Sequence, residues 1–236
     1  MLNKPMAELE ERIGYVFQKK DLLKQALTHS SFTNEQKINK SPDYERLEFL
    51  GDAVLELISS EYLFQNYPQV PEGELTKRRA SLVCEPSLAF CARDIELGQY
   101  IMLGKGEEAT GGRKRDSIIA DVMEAVIGAI YLDGGMDKAR AHVMKFILSD
   151  LEDKELFFDS KSYLQELIQG KLKKEFSYEL IEERGPEHDK SFVVEVSMEG
   201  QCLGQGVGRT KKAAEQQAAY KALLLLRDKG YVFKKY

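Results

Sequence analysis

"SIIADVMEAVIGAIYLDGG", residues 117–135, has a helical pattern and is apolar on nearly every side, yet it carries Asp121 and Glu124 near its middle. An ionised carboxylate taken out of water is costly unless it is paired or holds a metal. The two acids are three residues apart and share a helical face. Ile118, Ile119, Val122, Met123, Ala125, Val126 and Ile127 surround them, leaving little solvated face to which they could belong. They therefore look onto a cleft or meet a partner elsewhere in the chain. A buried ion pair with Arg113, Lys114 or Arg115 would also satisfy them, and carboxylates alone do not choose between the two.

A second helical stretch, "YERLEFLGDAVLEL" at 44–57, carries Glu45, Glu48 and Asp52 on one face, at spacings of three, four and seven. If the two helices pack side by side, four or five carboxylates converge, and like charges that close cannot all stay ionised without a cation. Hard oxygen ligands without His or Cys suit Mg²⁺ or Mn²⁺. Two such ions roughly 4 Å apart are a common arrangement for hydrolysing phosphodiesters. For Glu45, Glu48, Asp52 and Glu56 a plain solvated face is an equally good reading. Gly51 and Gly128 interrupt the two helices at a cost of roughly 1 kcal/mol each relative to Ala, which close helix packing or ligand approach would explain.

The 236-residue chain is 43% hydrophobic and 31% charged, the balance of a globular protein. Its net charge of −5 argues by itself against a nucleic-acid binder, but the charge is unevenly spread. Residues 157–236 hold 14 Lys and Arg against 12 Asp and Glu, and residues 1–156 hold 20 against 27. An acidic body with a mildly basic tail is compatible with cation binding in one part and phosphate binding in the other. Cys84, Cys91 and Cys202 have neither metal spacing nor disulfide density and read as small buried residues in a reducing compartment. The N-terminal stretch has no secretory apolar region, and no apolar run is long enough to span a bilayer, so a cytoplasmic location without membrane contact is expected.

Residues 1–150 read as nearly all helix, with single helices expected over "MAELEERIGYVF" and "KDLLKQALTHSSF", a break near Pro86, and a loop at "LGKGEEATGGRKRDS". After Glu155 the pattern changes. "SKSYLQELIQGKLKKEF" reads as a helix, "SYELIEERGP", "KSFVVEVSMEG" and "QCLGQGVG" as strands, and "RTKKAAEQQAAYKALLLLRDKG" as a long helix ending at Gly230.

These residues resemble a known family. "ERLEFLGDAVLEL", from Glu45 to Leu57, is similar to the signature of the ribonuclease III family, "SIIADVMEAVIGAIYLDGG" is similar to its second acidic helix, and the tail resembles a double-stranded-RNA-binding domain. The implied architecture is an all-α endonuclease domain over residues 1–152, a linker at 153–159, and a small α+β (α-β-β-β-α) double-stranded-RNA-binding domain over 160–230. The resemblance implies that Glu48, Asp52, Asp121 and Glu124 bind metal, with Asp52 and Glu124 catalytic, and that Glu45 and Glu72 are further acidic positions near the cleavage site. It also implies a homodimer, with Phe49 and Leu50 at its interface unless they simply pack in the core. The expected cofactor is Mg²⁺, with Mn²⁺ able to substitute and no organic cofactor. The expected reaction cuts both strands of an RNA duplex, leaving 5′-phosphates and short 3′ overhangs, in the processing of ribosomal and messenger RNA precursors. No protein general base is needed, in keeping with only three histidines; His29 and His142 read as structural. Tyr44 stands where many members carry a polar residue.

The tail has the parts of a duplex reader, since A-form RNA is recognised mainly by shape, 2′-hydroxyls and phosphates. Gln165, Glu166 and Gln169 would share a face that bonds 2′-hydroxyls. His188, in the loop "GPEHDKSF", would enter a second minor groove. Lys211 and Lys212 would hold phosphates at a helix N-terminus. The rival reading is a non-catalytic double-stranded-RNA-binding protein on the same fold, although the full carboxylate set is kept.

Overall fold

Gly51 and Gly128 explain how the two acidic helices meet. A Cβ at Gly51 would lie 1.8 Å from the Glu124 carbonyl oxygen, and one at Gly128 would lie 2.3 Å from that of Leu47. Only bare backbone on both helices permits this crossing. In the computed structural model, residues 3–36, 41–149, 160–185, 190–208 and 210–231 are described. The chain divides into two compact units, Met1–Ser149 and Asp150–Tyr236.

In the first unit the helices are α1 (Asn3–Ile13), α2 (Lys20–Ala26), α3 (Ser30–Glu35), α4 (Glu45–Asn66), α5 (Glu72–Val83), α6 (Glu85–Asp94), α7 (Lys105–Ala109), α8 (Asp116–Gly134) and α9 (Met136–Phe146). The α8 helix is the axis of the core. Val122, Met123, Ala125, Val126, Ile127, Ala129 and Ile130 are fully enclosed by α4, α6, α2 and α9. This helix is apolar all round because it is surrounded. Its C-terminal Asp133 accepts from the Tyr15 hydroxyl and from the backbone N–H groups of Gln18 and Lys19, which ties the α1–α2 turn to it.

Three expectations for this unit are corrected. The helix expected over "MAELEERIGYVF" ends at Ile13, and Gly14–Phe17 lie outside it. "KDLLKQALTHSSF" is not one helix. It breaks at Leu27–His29, where Met102 N donates to Leu27 O and His29 N donates to Met102 O. His29 then caps α3 by accepting from Ser31 N, because a capped second helix satisfies donors that the break would leave bare. "LGKGEEATGGRKRDS" is more ordered than a loop. It contains α7 and a 3₁₀ turn at Gly112–Lys114, and Arg113 gathers the carbonyl oxygens of Gly98, Gln99 and Ile101.

In the second unit, α10 (Ser160–Gln165) runs into a π-helical segment at Glu166–Leu172, which ends at Lys173 with φ +55°. The expected single α-helix is therefore wound differently over its second half. Strands β1 (Phe176–Arg184), β2 (Ser191–Met198) and β3 (Gln201–Gly208) form an antiparallel sheet in that order, with a bulge between Leu180 and Glu182. The long helix α11 (Lys211–Asp228) lies against β3 and β2. It approaches β3 so closely that Gly204, Gly206 and Gly208 have no room for a side chain. The core is formed by Leu164, Leu167, Ile168, Val196, Leu203 and the apolar face of α11. The segment expected as a linker, 153–159, lies outside the described residues. Cys91 is buried, but Cys84 is half-buried and Cys202 exposed, so the expectation of three buried thiols holds only for Cys91.

Candidate functional site

The α4–α8 crossing brings the central acids together. Asp52 follows Gly51 on α4, and Glu48 lies one turn earlier. Asp121 and Glu124 approach from α8, with Glu124 at the Gly51 contact itself. Burial and the charges of Asp52, Glu48, Asp121 and Glu56 push the Glu124 carboxyl up to about 8. Burial, then Asp121, Glu45 and Asp52, push Glu48 up to about 7. Asp52 is raised by partial burial and by Glu56. Asp121 is raised by burial against the opposing effects of Tyr44 and His29. Each acid is thus held above its ordinary range by desolvation, and for three of the four the neighbouring carboxylates add to the rise.

No lysine or arginine neutralises any of the four among the described residues. Of the three basic residues that sequence allowed as partners, Lys114 is exposed and the other two are engaged elsewhere. Arg113 pairs with Glu108, and Arg115 with Glu107. The cluster is open rather than closed: among the described residues, no three His, Cys, Asp or Glu side chains are gathered tightly enough to enclose a metal ion. The donor set is nonetheless suited to a hard divalent cation, being all carboxylate, partly desolvated and short of positive charge.

Of the outer acids, Glu45 is exposed at the first turn of α4 and adds to the charge felt by Glu48. Glu72 is exposed at the first turn of α5, where its carboxylate accepts from the Thr76 hydroxyl. It makes no contribution to the shifts at the four central acids. Two groups named in sequence, Glu56 on a possible solvated face and Tyr44 as a departure from the family pattern, were given no part in the site. Glu56, one turn beyond Asp52, is near enough to act on both Asp52 and Glu124; spacing on the face of α4 was its signal. Tyr44 is buried, and its hydroxyl donates to Asp121 Oδ2 at 3.2 Å. Burial and the adjacent carboxylates hold its phenol well above the usual tyrosine range, so it remains a donor.

Both histidines fit structural roles. His29 caps α3, and His142 is buried against Phe146, where desolvation lowers it to about 4 and keeps it neutral. Phe49 is 80% exposed, so it does not pack in the core of its own chain. Leu57 and Phe64 are also exposed, and with Phe49 they form an apolar stripe on α4 beside its acid-bearing face.

In the second unit, Gln165, Glu166 and Gln169 are all exposed, and the Gln165 side-chain amide donates to Gln169 Oε1. Thr210 caps α11 by accepting from Ala213 N, which places Lys211 and Lys212 exposed on its first turn. Lys211 lies 3.5 Å from Glu183, with its ammonium 5.6 Å from the centre of the Phe192 ring. His188 lies outside the described residues.

Comparison with known proteins identifies the family of each unit. The family description "Ribonuclease-III-like" matches residues 19–151, and "Double-stranded RNA binding motif" matches residues 160–226. Ribonuclease 3 of Geobacillus kaustophilus is 51% identical over 222 residues, covering 93% of this chain and 90% of that protein. Ribonuclease 3 of Pelotomaculum thermopropionicum is 50% identical over 219 residues, covering 92% and 91%. The crystal structure of the nuclease domain of ribonuclease III from Campylobacter jejuni is 45% identical and covers 60% of this chain and 92% of its own, with a TM-score of 0.55. A second structure of that domain, with a TM-score of 0.56, 45% identity and coverage of 59% and 94%, is described by structural flexibility in the region involved in dimer formation. With an acidic helical nuclease unit followed by an RNA-binding unit, and about half of its residues shared with such relatives over nearly its whole length, the chain belongs to the ribonuclease III family of endoribonucleases.

Proposed function

We propose that this protein is a Mg²⁺-dependent endoribonuclease that hydrolyses both strands of double-stranded RNA, leaving 5′-phosphates and short 3′ overhangs, with Mn²⁺ able to replace Mg²⁺. The observation that carries the reading is the set of acids at the Gly51–Gly128 crossing, raised in pKa and without a cationic partner among the described residues. Glu48, Asp52, Asp121 and Glu124 would hold the cation. Their ionised forms, disfavoured by burial and mutual repulsion, are favoured once positive charge stands among them. When bound, the metal supplies activation of water and stabilisation of charge on the leaving oxygen. Asp52 and Glu124 take the catalytic roles, Glu45 adds negative charge at the margin, and Glu72 is assigned to the approach to the cleavage site. The backbone contact between α4 and α8 keeps the two halves of the donor set at a fixed separation.

Gln165, Glu166 and Gln169 are assigned to 2′-hydroxyls, His188 to a second minor groove, and Lys211 and Lys212 with the N-terminus of the 18-residue α11 to phosphates. The exposed α4 stripe supports a homodimer, in which burial of Phe49, Leu57 and Phe64 removes three large apolar side chains from water. The described residues include no helix long and apolar enough to cross a membrane. A cytoplasmic role in processing ribosomal and messenger RNA precursors, within residues 1–152 and 160–230 acting as nuclease and RNA-binding domains, completes the proposal. Incubating the purified protein with a radiolabelled RNA duplex and Mg²⁺ tests it. Fragments with 5′-phosphate ends and short 3′ overhangs are expected. Normal binding with intact RNA would overturn the enzyme reading in favour of an RNA holder.

A further inference from the structure

We propose that Tyr44 is a positioning residue for the cation site, its hydroxyl fixing the Asp121 carboxylate so that the other oxygen is presented to the metal. The inference rests on the metal-site reading above and concerns a residue outside the acidic set. The hydroxyl donates to Asp121 Oδ2 at 3.2 Å, which leaves Oδ1 without a hydrogen-bond donor among the described residues.

The phenol is itself held on several sides. Tyr44 is only 4% exposed. Its backbone N–H donates to Thr28 O, and its carbonyl accepts from Leu47 N and Glu48 N at the start of α4. Its ring lies 5.7 Å from the His29 imidazole, centre to centre, and that imidazole is fixed by accepting from Ser31 N as the α3 cap. A rigid chain therefore runs from the α2–α3 break through Tyr44 to Asp121. A half-buried carboxylate at the mouth of a cluster has two free oxygens and a rotatable Cβ–Cγ bond. Anchoring one oxygen removes that freedom before a metal arrives, and groups that orient a ligand in this way commonly contribute 10–100-fold to metal affinity. A tyrosine suits the task because its rigid ring reaches from the first residue before α4 to α8 while filling apolar space.

The test is Mn²⁺ binding by the full-length protein, followed by loss of the free-ion paramagnetic resonance signal, so that no cleavage is needed to read it. Tyr44→Phe removes only the hydroxyl and keeps the ring. Its Mn²⁺ dissociation constant should rise by about 10-fold, while its melting temperature without metal and its duplex-RNA affinity in EDTA stay those of the wild type. Cleavage should recover toward the wild-type rate as Mg²⁺ is raised, because the defect lies in filling the site. Unchanged Mn²⁺ affinity in Tyr44→Phe would overturn the inference. A double-mutant cycle supplies the second measurement: in an Asp121→Asn background, Tyr44→Phe should cost nothing further, and an equal loss in both backgrounds would show that the hydroxyl does not act through Asp121. Glu124→Gln separates the two levels. If it weakens Mn²⁺ binding while Tyr44→Phe does not, the metal site stands and the positioning role falls. If neither variant differs from wild type, both fall together.

Discussion

Glu124 combines two properties that rarely occur together in a stable helix: it is partly desolvated, and carboxylates rather than cations surround it. Glu124→Gln keeps its shape and removes its charge. Cleavage of duplex RNA should fall on the order of 10³-fold, the scale of losing a group that supports charge in the transition state, with duplex affinity in a gel-shift assay unchanged. Joint loss of binding and cleavage would mean that Glu124 is structural. The same residue sets a pH dependence for the metal-free protein. Glu124 and Glu48 have folded-state values of about 8 and about 7, above the ordinary value of 4.5. The folded protein therefore binds more protons than the unfolded chain between these limits, and the stability they contribute is complete below about pH 4.5 and is lost as pH rises through 7 and 8. Urea midpoints in EDTA should fall across that window, Glu124→Gln should flatten the fall, and Mg²⁺ should oppose it. A midpoint that rises with pH in EDTA would contradict the shifts. The acids were legible in sequence because a polar group inside an apolar period is conspicuous. Tyr44 was not, since an aromatic residue beside a helix start looks like ordinary core until its hydroxyl is placed against Asp121.

At the scale of elements, the site exists because two helices touch backbone to backbone. Gly51→Ala would place a methyl group 1.8 Å from the Glu124 carbonyl oxygen, an obstacle that no side-chain rotation relieves. Destabilisation of about 1–3 kcal/mol or more is expected, read as a lowered urea midpoint, together with weaker Mn²⁺ binding as α4 and α8 separate. A fully stable Gly51→Ala variant would refute the close crossing. In the RNA-binding unit, replacing Lys211 and Lys212 together by Ala should lower duplex affinity and reduce the slope of log affinity against log salt by about 2, one contact for each lysine. Glu183→Gln should act in the opposite sense, because its carboxylate lies 3.5 Å from the Lys211 ammonium and competes with phosphate for it. An unaltered salt slope in the double variant would remove both lysines from the interface. Periodicity revealed α11 and β2 because each has a decisive buried face, and α8 because it is apolar on nearly every side. It did not reveal the α2–α3 break, which depends on a backbone exchange with Met102 75 or so positions later in the chain, or the π-wound turns after Gln165. The break is set by a distant contact, of which local propensity carries no record.

For the whole molecule, the unresolved demand is the apolar stripe on α4. Phe49 is 80%, Leu57 55% and Phe64 74% exposed, on one face of a 22-residue helix. Single exposed apolar residues are ordinary on a protein surface, but three aligned large ones beside an acidic site mark a contact face. A two-fold pairing through this stripe would bury it against its own copy, since an isologous interface uses the same patch twice. It would also set the acid-bearing face of each subunit at the edge of the joint, which is what cutting both strands of one duplex requires. Phe49→Asp places a charge in that contact and leaves the core of its own chain untouched. Sedimentation should report a dimer for the wild type and a monomer for Phe49→Asp, with helix content by circular dichroism unchanged. The monomer should retain binding through the second unit but lose coordinated cleavage, leaving nicked rather than severed duplexes. If Phe49→Asp sediments with the wild type, the stripe serves some other contact and the pairing of active sites must be sought on another face.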